Sequence, residues 1–284
     1  GGATDILARI VAVELGKQLG QTLVIENRPG ANGTIGQTQV ATSAPDGYTL
    51  ILATNSTYAI ADHLYKSLPY KLDRDFAPIS LLAASPLIMA VRPSLEVKGV
   101  ADLIEMARKQ PGKLNFASGG NGSTSHLAAE LFMALSKTAM THVPYKGGAP
   151  ATNAVVAGEV DVAFLDLGVA IPFIEAGTIK AIGVTGAARS PLLPNIPAIS
   201  EAGIPQFEAT TNFALFAPTG TPQPIIDKLH GAVRGALAEP ELRDKLRRQG
   251  VEVIGNTPEE LRRGSEAERA KWGQIISDRR ISFD

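Results

Sequence analysis

Short apolar runs alternate with amphipathic segments of helical period through the first two thirds of the chain. At the start, apolar residues recur at helical spacing from Ile6 to Leu15, and Gly20 ends a helix predicted over residues 4–19. Similar patterns predict helices at residues 100–110, 124–135 and 149–157. Apolar runs of strand length predict strands at residues 22–26, 48–53, 79–84, 87–91, 114–117, 140–143, 160–165, 179–185 and 212–217.

The last third of the chain is helical in pattern. Helices are predicted over residues 222–238, 240–250 and 258–277. Before the last of these, Thr257 and Glu260 form a capping box, and Pro258 occupies the first helical position. The order of elements predicts an α/β protein with a parallel-rich sheet whose faces are covered by helices.

Two extended crossings, near residues 91–99 and 217–224, are the predicted domain boundaries. Two crossings imply that one domain is inserted in the other. Lobe one is therefore predicted over residues 1–98 plus 218–284, and lobe two, the inserted one, over residues 99–217.

Charge and composition exclude several classes of function. The 284 residues carry 27 Lys and Arg against 28 Asp and Glu, and aromatic residues make up only 5% of the chain. A nucleic-acid partner is not expected, because such proteins carry a basic excess or an aromatic stacking surface. The absence of cysteine excludes disulfides, thiolate metal sites and cysteine nucleophiles. Pro78 and Pro86 interrupt the longest uncharged apolar run, so no membrane-spanning helix is predicted.

Several turns that follow a strand or open a helix are rich in glycine and hydroxyl residues. They occupy residues 1–5, 27–34, 53–57, 118–126 and 144–148. A helix N-terminus has unpaired N–H groups and a positive dipole end, so such turns suit a carboxylate or another oxyanion. The alternative is that each turn only caps its helix. Several such turns at carboxyl ends of strands favour a ligand site, because α/β sheets bind ligands there.

The segment from Ser118 to Ser125 is the most informative of these turns. It contains glycines and hydroxyl side chains but no Lys or Arg. An anion bound there would be held by backbone amides and hydroxyls rather than by a cation.

Catalytic and cofactor motifs are weak or absent. The chain has no G-x-S-x-G nucleophile elbow and no Walker pattern, and Ser125 stands where a dinucleotide fingerprint needs its third glycine. The histidines lack metal-ligand spacing, and His126 beside Ser125 points away from it on a helix. Asp161 and Asp166 lie at the two ends of a predicted strand. They could form an acid pair. The simpler interpretation is that they cap turns, and Asp166 is also placed to meet a ligand amine. No metal and no cofactor is predicted.

A set of motifs resembles a known family along nearly the whole chain. The segments occur in the order GGATD, ENRPGANGTIG, DGYTL, NFASGGNGSTSHLAAELF, VPYKGGAPATNAVVAGEVDVAFLD, IEAGTIKAIGVTG and LPNIPAISEAGIP. This set is similar to the extracytoplasmic solute receptors of tripartite tricarboxylate transporters, also called Bug-type receptors.

The resemblance implies a type II periplasmic-binding-protein fold, in which two α/β lobes close on a small ligand. It implies a periplasmic, monomeric receptor that captures a dicarboxylate, tricarboxylate, amino acid or aromatic acid and delivers it to the subunits of an inner-membrane permease. By motif match, the ligand-binding residues would be Gly1, Gly2, Thr4, Asp5, Thr54, Asn55, Ser56, Ser118, Ser123, Thr124, Ser125, His126, Tyr145, Gly147 and Asp166.

One feature departs from the family pattern. Family members have a signal peptide and a strand before the Gly-Gly motif, whereas this chain begins at Gly1. We therefore expect the first strand of lobe one to be missing from this chain.

Two functional hypotheses remain at this level. The first is a transport receptor without catalytic chemistry. The second is an α/β hydrolase or transferase that acts on a small acid through Ser125 or Asp166.

Overall fold

The computed structural model describes residues 3–28 and 30–281. Within them the helices are α1 (Ala3–Leu19), α2 (Thr34–Ala41), α3 (Ala61–Leu64), α4 (Leu72–Asp75), α5 (Val100–Lys109), α6 (Thr124–Ser136), α7 (Gly148–Ala157), α8 (Leu167–Glu175), α9 (Gln223–Ala238), α10 (Pro240–Arg248) and α11 (Pro258–Arg279). The strands are β1 (Ile51–Thr54), β2 (Phe76–Val91), β3 (Asn115–Ser118), β4 (Thr141–Pro144), β5 (Val162–Asp166), β6 (Lys180–Val184), β7 (Thr210–Pro218) and β8 (Glu252–Val253).

The chain divides into two compact units. Unit one comprises Gly1–Ala84 and Asn212–Asp284, and unit two comprises Ser85–Thr211. Both divisions fall earlier in the chain than the crossings predicted near residues 91–99 and 217–224. They lie within β2 and β7, so the chain passes from one unit to the other in extended strand conformation.

In unit one, β7 lies between β1 and β2, and β8 is antiparallel to β2. Helices α1, α9 and α10 bury one apolar cluster, which includes Leu7, Val233 and Leu246. A second cluster contains Tyr58 and Phe216, whose ring centroids are 5.5 Å apart.

In unit two, β3 is parallel to both β4 and β5, whereas β2 is antiparallel to β5 and β6. The prediction of a parallel-rich sheet therefore holds around β3 and is wrong around β2. The sequence does not show strand direction, which depends on where each connection returns. An apolar cluster that includes Ile88, Val155 and Leu165 fills the space under α7 and α8.

Most predicted helices and strands are confirmed, often to within a few residues. The strand predicted at residues 22–26 is wrong: no ladder pairs it within residues 3–28 and 30–281. A strand is maintained by its hydrogen-bonded neighbour, and here Val24 is 87% exposed. Leu23 instead lines an open apolar groove of about 620 Å³ in unit one.

Two further differences come from tertiary context. The sequence predicts a break at Pro86 between two strands, but β2 runs through it. Helix α8 was not predicted, because it begins directly after β5 and contains Pro172, which usually signals a loop.

Helix α11 begins with the predicted capping box, and mutation of its N-cap residue tests how much the cap stabilises the protein. The Thr257 side chain accepts from the Glu260 N–H at 3.2 Å, and the Glu260 carboxylate accepts from the Thr257 N–H at 2.8 Å. We expect Thr257→Ala to lower the free energy of unfolding by about 0.5–2 kcal/mol, measured by urea denaturation. Ser277→Ala, at the exposed other end of α11, is the control and is expected to change it by less than about 0.5 kcal/mol. Equal effects of both variants would contradict a stabilising cap.

Candidate ligand site

The carboxyl ends of three parallel strands meet at one edge of the sheet in unit two. Ser118 ends β3, Pro144 ends β4 and Asp166 ends β5, and Ser118 and Pro144 are directly paired in register. The predicted ligand-binding segments of this unit therefore all follow neighbouring strands. This is the position where open α/β sheets bind ligands.

The turn between β3 and α6, here called the 118–125 loop, is organised by a buried hydroxyl. Ser118 is fully buried, and its Oγ accepts from the Gly120 N–H at 3.1 Å and lies 3.2 Å from the Gly120 carbonyl. The same Oγ lies 2.6 Å from Nε2 of His142 on β4. One side chain thus ties the loop to the neighbouring strand.

The 118–125 loop also contacts the turn that follows β4. The Tyr145 N–H donates to the Ser118 carbonyl and the Gly147 N–H to the Gly119 carbonyl, each at 3.0 Å. Gly120 has φ 125° and a Cβ there would lie 3.2 Å from the Tyr145 carbonyl oxygen, so glycine is required for both conformation and space. The backbones of the two turns therefore pack directly against each other.

Ser123 and Ser125 have internal partners that shape the start of α6. Ser123 is the N-cap, accepting from the His126 N–H at 3.2 Å and donating to the Gly120 carbonyl at 2.7 Å. Ser125 Oγ accepts from the Gly119 N–H at 2.9 Å and lies 2.9 Å from Ser123 Oγ. Both side chains are half-buried, whereas Thr124 is buried. The cation-free loop therefore presents two partly accessible hydroxyls at the positive end of a helix.

A stack of aromatic rings lies beneath the 118–125 loop. Phe116 and His142 are register partners on β3 and β4, with ring centroids 4.8 Å apart, and the rings of His142 and His126 are 4.0 Å apart and nearly parallel. Nδ1 of His126 accepts from the Gly122 N–H at 3.1 Å. Burial, reinforced by the neighbouring His126, lowers the pKa of His142 from its ordinary 6.5 to about 4.

The Ser118–His142 pair has the spacing of a nucleophile and its base, yet its setting is structural. Ser118 has no exposed surface, and its hydroxyl is occupied by Gly120 as well as by His142. Ser125, the predicted nucleophile of the enzyme hypothesis, contacts Ser123 and Gly119 rather than a histidine ring.

Asp166 and Tyr145 complete the predicted residues of unit two. Asp166 is half-buried at the start of α8, and its Oδ2 lies 3.6 Å from the position a Cβ would take at Gly148. Burial raises the pKa of the Asp166 carboxyl. Tyr145 packs against the apolar cluster of unit two, and burial, then the nearby Glu159, raises the pKa of its hydroxyl.

The predicted residues at the start of unit one divide between described and undescribed positions. Gly1 and Gly2 lie outside the described residues. Thr4 is half-buried in the first turn of α1. Asp5 accepts from the side chains of Asn27 at 2.9 Å and Arg9 at 3.0 Å, and the hydrogen bond from Asn27, followed by the attraction of Arg9, lowers its pKa.

The turn after β1 has an unusual backbone and a buried polar centre. A π-helical turn covers Ser56–Ile60, a conformation that is rare and frequent at functional sites. Thr54 and Ser56 share a hydrogen bond of 2.6 Å between their hydroxyls. Asn55 is fully buried, and its amide donates to Glu268 of α11 at 2.9 Å and accepts from the Asn212 N–H at 3.3 Å.

Sequence reasoning missed His142 and Glu268. His142 stands mid-strand without a recognisable motif, so only the register of β4 against β3 reveals its role. Glu268, which also accepts from the Trp272 indole N–H at 3.0 Å, is more than 200 positions from Asn55 along the chain. The i, i+4 spacing of Glu268 and Trp272, which places the two side chains on one face of α11, was the sequence signal for their contact.

No arrangement within residues 3–28 and 30–281 suggests a metal centre. Groups of three or more His, Asp or Glu side chains that could hold an ion are absent from that part of the chain. Over the same residues, no helix combines the length and apolar character needed to cross a membrane.

The family model for "Tripartite tricarboxylate transporter family receptor" matches residues 7–281. The chain belongs to this receptor family. The assignment made from its motifs is thereby confirmed, and the chain is a substrate-binding receptor rather than an enzyme. The hypothesis of a hydrolase or transferase is not supported.

Relatives of this receptor cover almost the whole chain. It is 37% identical to a Pseudomonas protein from the tcbD-tcbE intergenic region, over 99% of this chain and 84% of that protein. It is 34% identical to the protein BugT of Bordetella pertussis, over 98% of this chain and 86% of that protein.

Solved structures share the fold of the receptor. A structure from R. palustris with adipate has a TM-score of 0.91 and 39% identity, covering 98% of this chain and 93% of that one. MatC from Rhodopseudomonas palustris with bound malate has a TM-score of 0.88 and 36% identity, covering 97% of this chain and 95% of that one. The periplasmic binding protein BugD has a TM-score of 0.89 and 33% identity, covering 100% and 95%. These likenesses confirm the predicted α/β periplasmic-binding-protein fold.

The contacts of Asn55 indicate that this residue anchors unit one, which mutation can test. Asn55→Ala leaves the Asn212 N–H and the Glu268 carboxylate each without one buried partner, so we expect the free energy of unfolding in urea to fall by about 1–3 kcal/mol. The control is Asn121→Ala, in an exposed turn position, with an expected change below about 0.5 kcal/mol. An Asn55→Ala protein as stable as the control variant would rule out this anchoring role.

Proposed function

We propose that this receptor captures a small carboxylate and that the 118–125 loop holds one carboxylate group through amides and hydroxyls. The observation that carries the proposal is the cation-free loop at the N-terminus of α6, at the sheet edge where Ser118 and Pro144 end neighbouring strands. The ligands named for two solved relatives, adipate and malate, are both dicarboxylates. Dicarboxylates are therefore the first ligand class to test, with tricarboxylates, amino acids and aromatic acids after them.

The chemistry of the loop favours an anion without a neighbouring cation. Hydrogen bonds to an ionised acceptor are shorter and stronger than neutral ones, and the end of the α6 dipole adds to them. Lys146, on the turn after β4, is exposed. Within the loop itself, the positive field comes from fixed backbone dipoles, which need no reorganisation on binding.

The remaining predicted ligand residues divide by unit. In unit two, Thr124, Ser125, Tyr145, Gly147 and Asp166 are proposed contacts that line or follow the strand ends, whereas Ser123, whose one proton is donated to the Gly120 carbonyl, holds the loop in shape. In unit one, Thr4, Asp5, Thr54 and Ser56 are proposed contacts, whereas the internal bonds of Asn55, Ser118 and His126 assign these three to holding the site in shape. The predicted closure of the two lobes on the ligand stays a prediction.

Family membership supports a location and a partner for this activity. A receptor of a tripartite transporter works outside the cytoplasmic membrane and passes its ligand to membrane subunits. We therefore place this receptor in the periplasm, delivering a carboxylate to an inner-membrane permease. Uptake of labelled ligand by proteoliposomes that contain the permease subunits is expected only when the receptor is added.

The hydroxyl of Ser125 provides the direct test of carboxylate capture. Loss of one hydrogen bond to a charged acceptor costs roughly 1.5–3 kcal/mol, so Ser125→Ala is expected to weaken binding about 10- to 100-fold. The measurement is calorimetric titration of a panel that contains malate, adipate, citrate, glutamate and benzoate, with putrescine as a cation without a carboxylate.

Thr178→Ala, an exposed hydroxyl elsewhere in unit two that donates to the Phe173 carbonyl, is the matched control and should bind as the unmodified receptor does. Binding of putrescine in preference to every acid would contradict the proposal. So would equal affinities of Ser125→Ala and the control variant.

A further inference from the structure

The imidazoles of His126 and His142 lie beneath the 118–125 loop and are bonded to it from different elements. His126 belongs to the first turn of α6, and its Nδ1 accepts from the Gly122 N–H at 3.1 Å. His142 belongs to β4, and its Nε2 lies 2.6 Å from Ser118 Oγ, which in turn bonds Gly120. The two histidines thus hold the two halves of one loop.

The hydrogen bond from Gly122 fixes the tautomer of the neutral His126 ring. An imidazole nitrogen that accepts an N–H carries no proton of its own, so the single proton of neutral His126 is on Nε2. That nitrogen lies 3.6 Å from a carboxylate oxygen of Glu130. A second proton would have to enter at Nδ1, where it would face the N–H of Gly122, and the loop would lose this tie.

The distance between the two rings makes their charges interdependent. With centroids 4.0 Å apart and an angle of 7° between the planes, a proton on either imidazole disfavours a proton on the other. His126 is 5% exposed, so little water reaches the pair to screen it. The stack is therefore suited to two neutral rings.

We propose that His126 and His142 are positioning residues that keep the 118–125 loop in its carboxylate-binding form, and that protonation of this stacked pair loosens the loop, so that binding weakens in acid. This inference rests on the proposed function for its effect on affinity. Its effect on the loop itself does not depend on any ligand.

The titratable groups around the pair are few. Helix α6 contributes Glu130, the turn after β4 contributes Tyr145 and Lys146, and β5 contributes Asp166, whereas β3 and α7 carry none. Glu130 favours protonation of His142, but burial and His126 outweigh it, as the pKa of about 4 shows. Because the folded unit takes up fewer protons than the unfolded chain between about pH 6.5 and 4, its stability falls as pH falls through that window.

Two substitutions separate the acceptor role of His126 from its packing. In His126→Asn, the side-chain oxygen occupies the place of Nδ1, so the tie to Gly122 is kept and cannot titrate. In His126→Phe, the ring stack is kept and the acceptor is lost. His142→Gln keeps a polar group near the place of Nε2 without titration. His63→Gln, in unit one, is the matched control.

The experiment measures the hydrogen-exchange protection of the Gly120 and Gly122 amides by NMR, from pH 3 to 8, in the ligand-free receptor. We expect protection to fall about 3- to 10-fold in acid for the unmodified receptor and the His63→Gln control. The His126→Asn, His142→Gln double variant should show a flat profile, and His126→Phe should show low Gly122 protection at every pH. A flat profile in the unmodified receptor, or the same decline in the double variant, would overturn the proposal.

Titration with malate and adipate over the same pH range gives the second readout. Affinity should fall in acid more steeply for the unmodified receptor than for the double variant. The decline in the double variant measures the effect of ligand protonation alone. Tighter binding in acid would overturn the proposal, because it would mean that a charged imidazole attracts the ligand. If no acid of the wider panel binds at any pH, the proposed function fails, and amide exchange still decides the role of the histidines.

Discussion

The buried hydroxyl of Ser118 is the point on which the candidate site in unit two depends. It bonds the Gly120 backbone and the ring of His142, so one oxygen connects the end of β3, the following loop and β4. A buried polar group left without a partner costs free energy, and every group in this set is another's partner. The loop therefore cannot rearrange one bond without breaking several, so its amides and hydroxyls form a preformed surface.

Several side chains that resemble ligand contacts in the sequence are used by the fold itself. Asn55 holds α11 and the backbone of β7 at its start, and Ser123 caps α6 while bonding back to Gly120. The residue types that bind a carboxylate are also those that satisfy turns and helix ends, because both tasks need short hydroxyl and amide groups. A motif therefore identifies the loop that matters but does not separate the groups that hold the loop from those that face a ligand.

The structural use of these side chains also explains why a serine beside a histidine does not make an enzyme here. A catalytic pair needs an accessible oxygen and a base free to take its proton, whereas Ser118 is inaccessible and shares its hydroxyl with Gly120. The candidate site contains backbone and hydroxyl donors and, among the described residues, no exposed nucleophile paired with a base. Such a site suits binding and release, which is the work of a receptor.

The sequence by itself determined the α/β class, the helix that begins at Thr257, the loops that follow β3 and β4, and the receptor family. These features depend on local spacing: apolar period, capping residues and glycine-rich turns are all read within a few positions. Tertiary structure alone decided that residues 22–26 form no strand, that β2 continues through Pro86, and that His142 lies under the loop. Each of these depends on a partner distant in the chain. A strand needs a hydrogen-bonded neighbouring strand, and the position of a stacked ring depends on the register between two strands. Neither can be predicted from neighbouring residues.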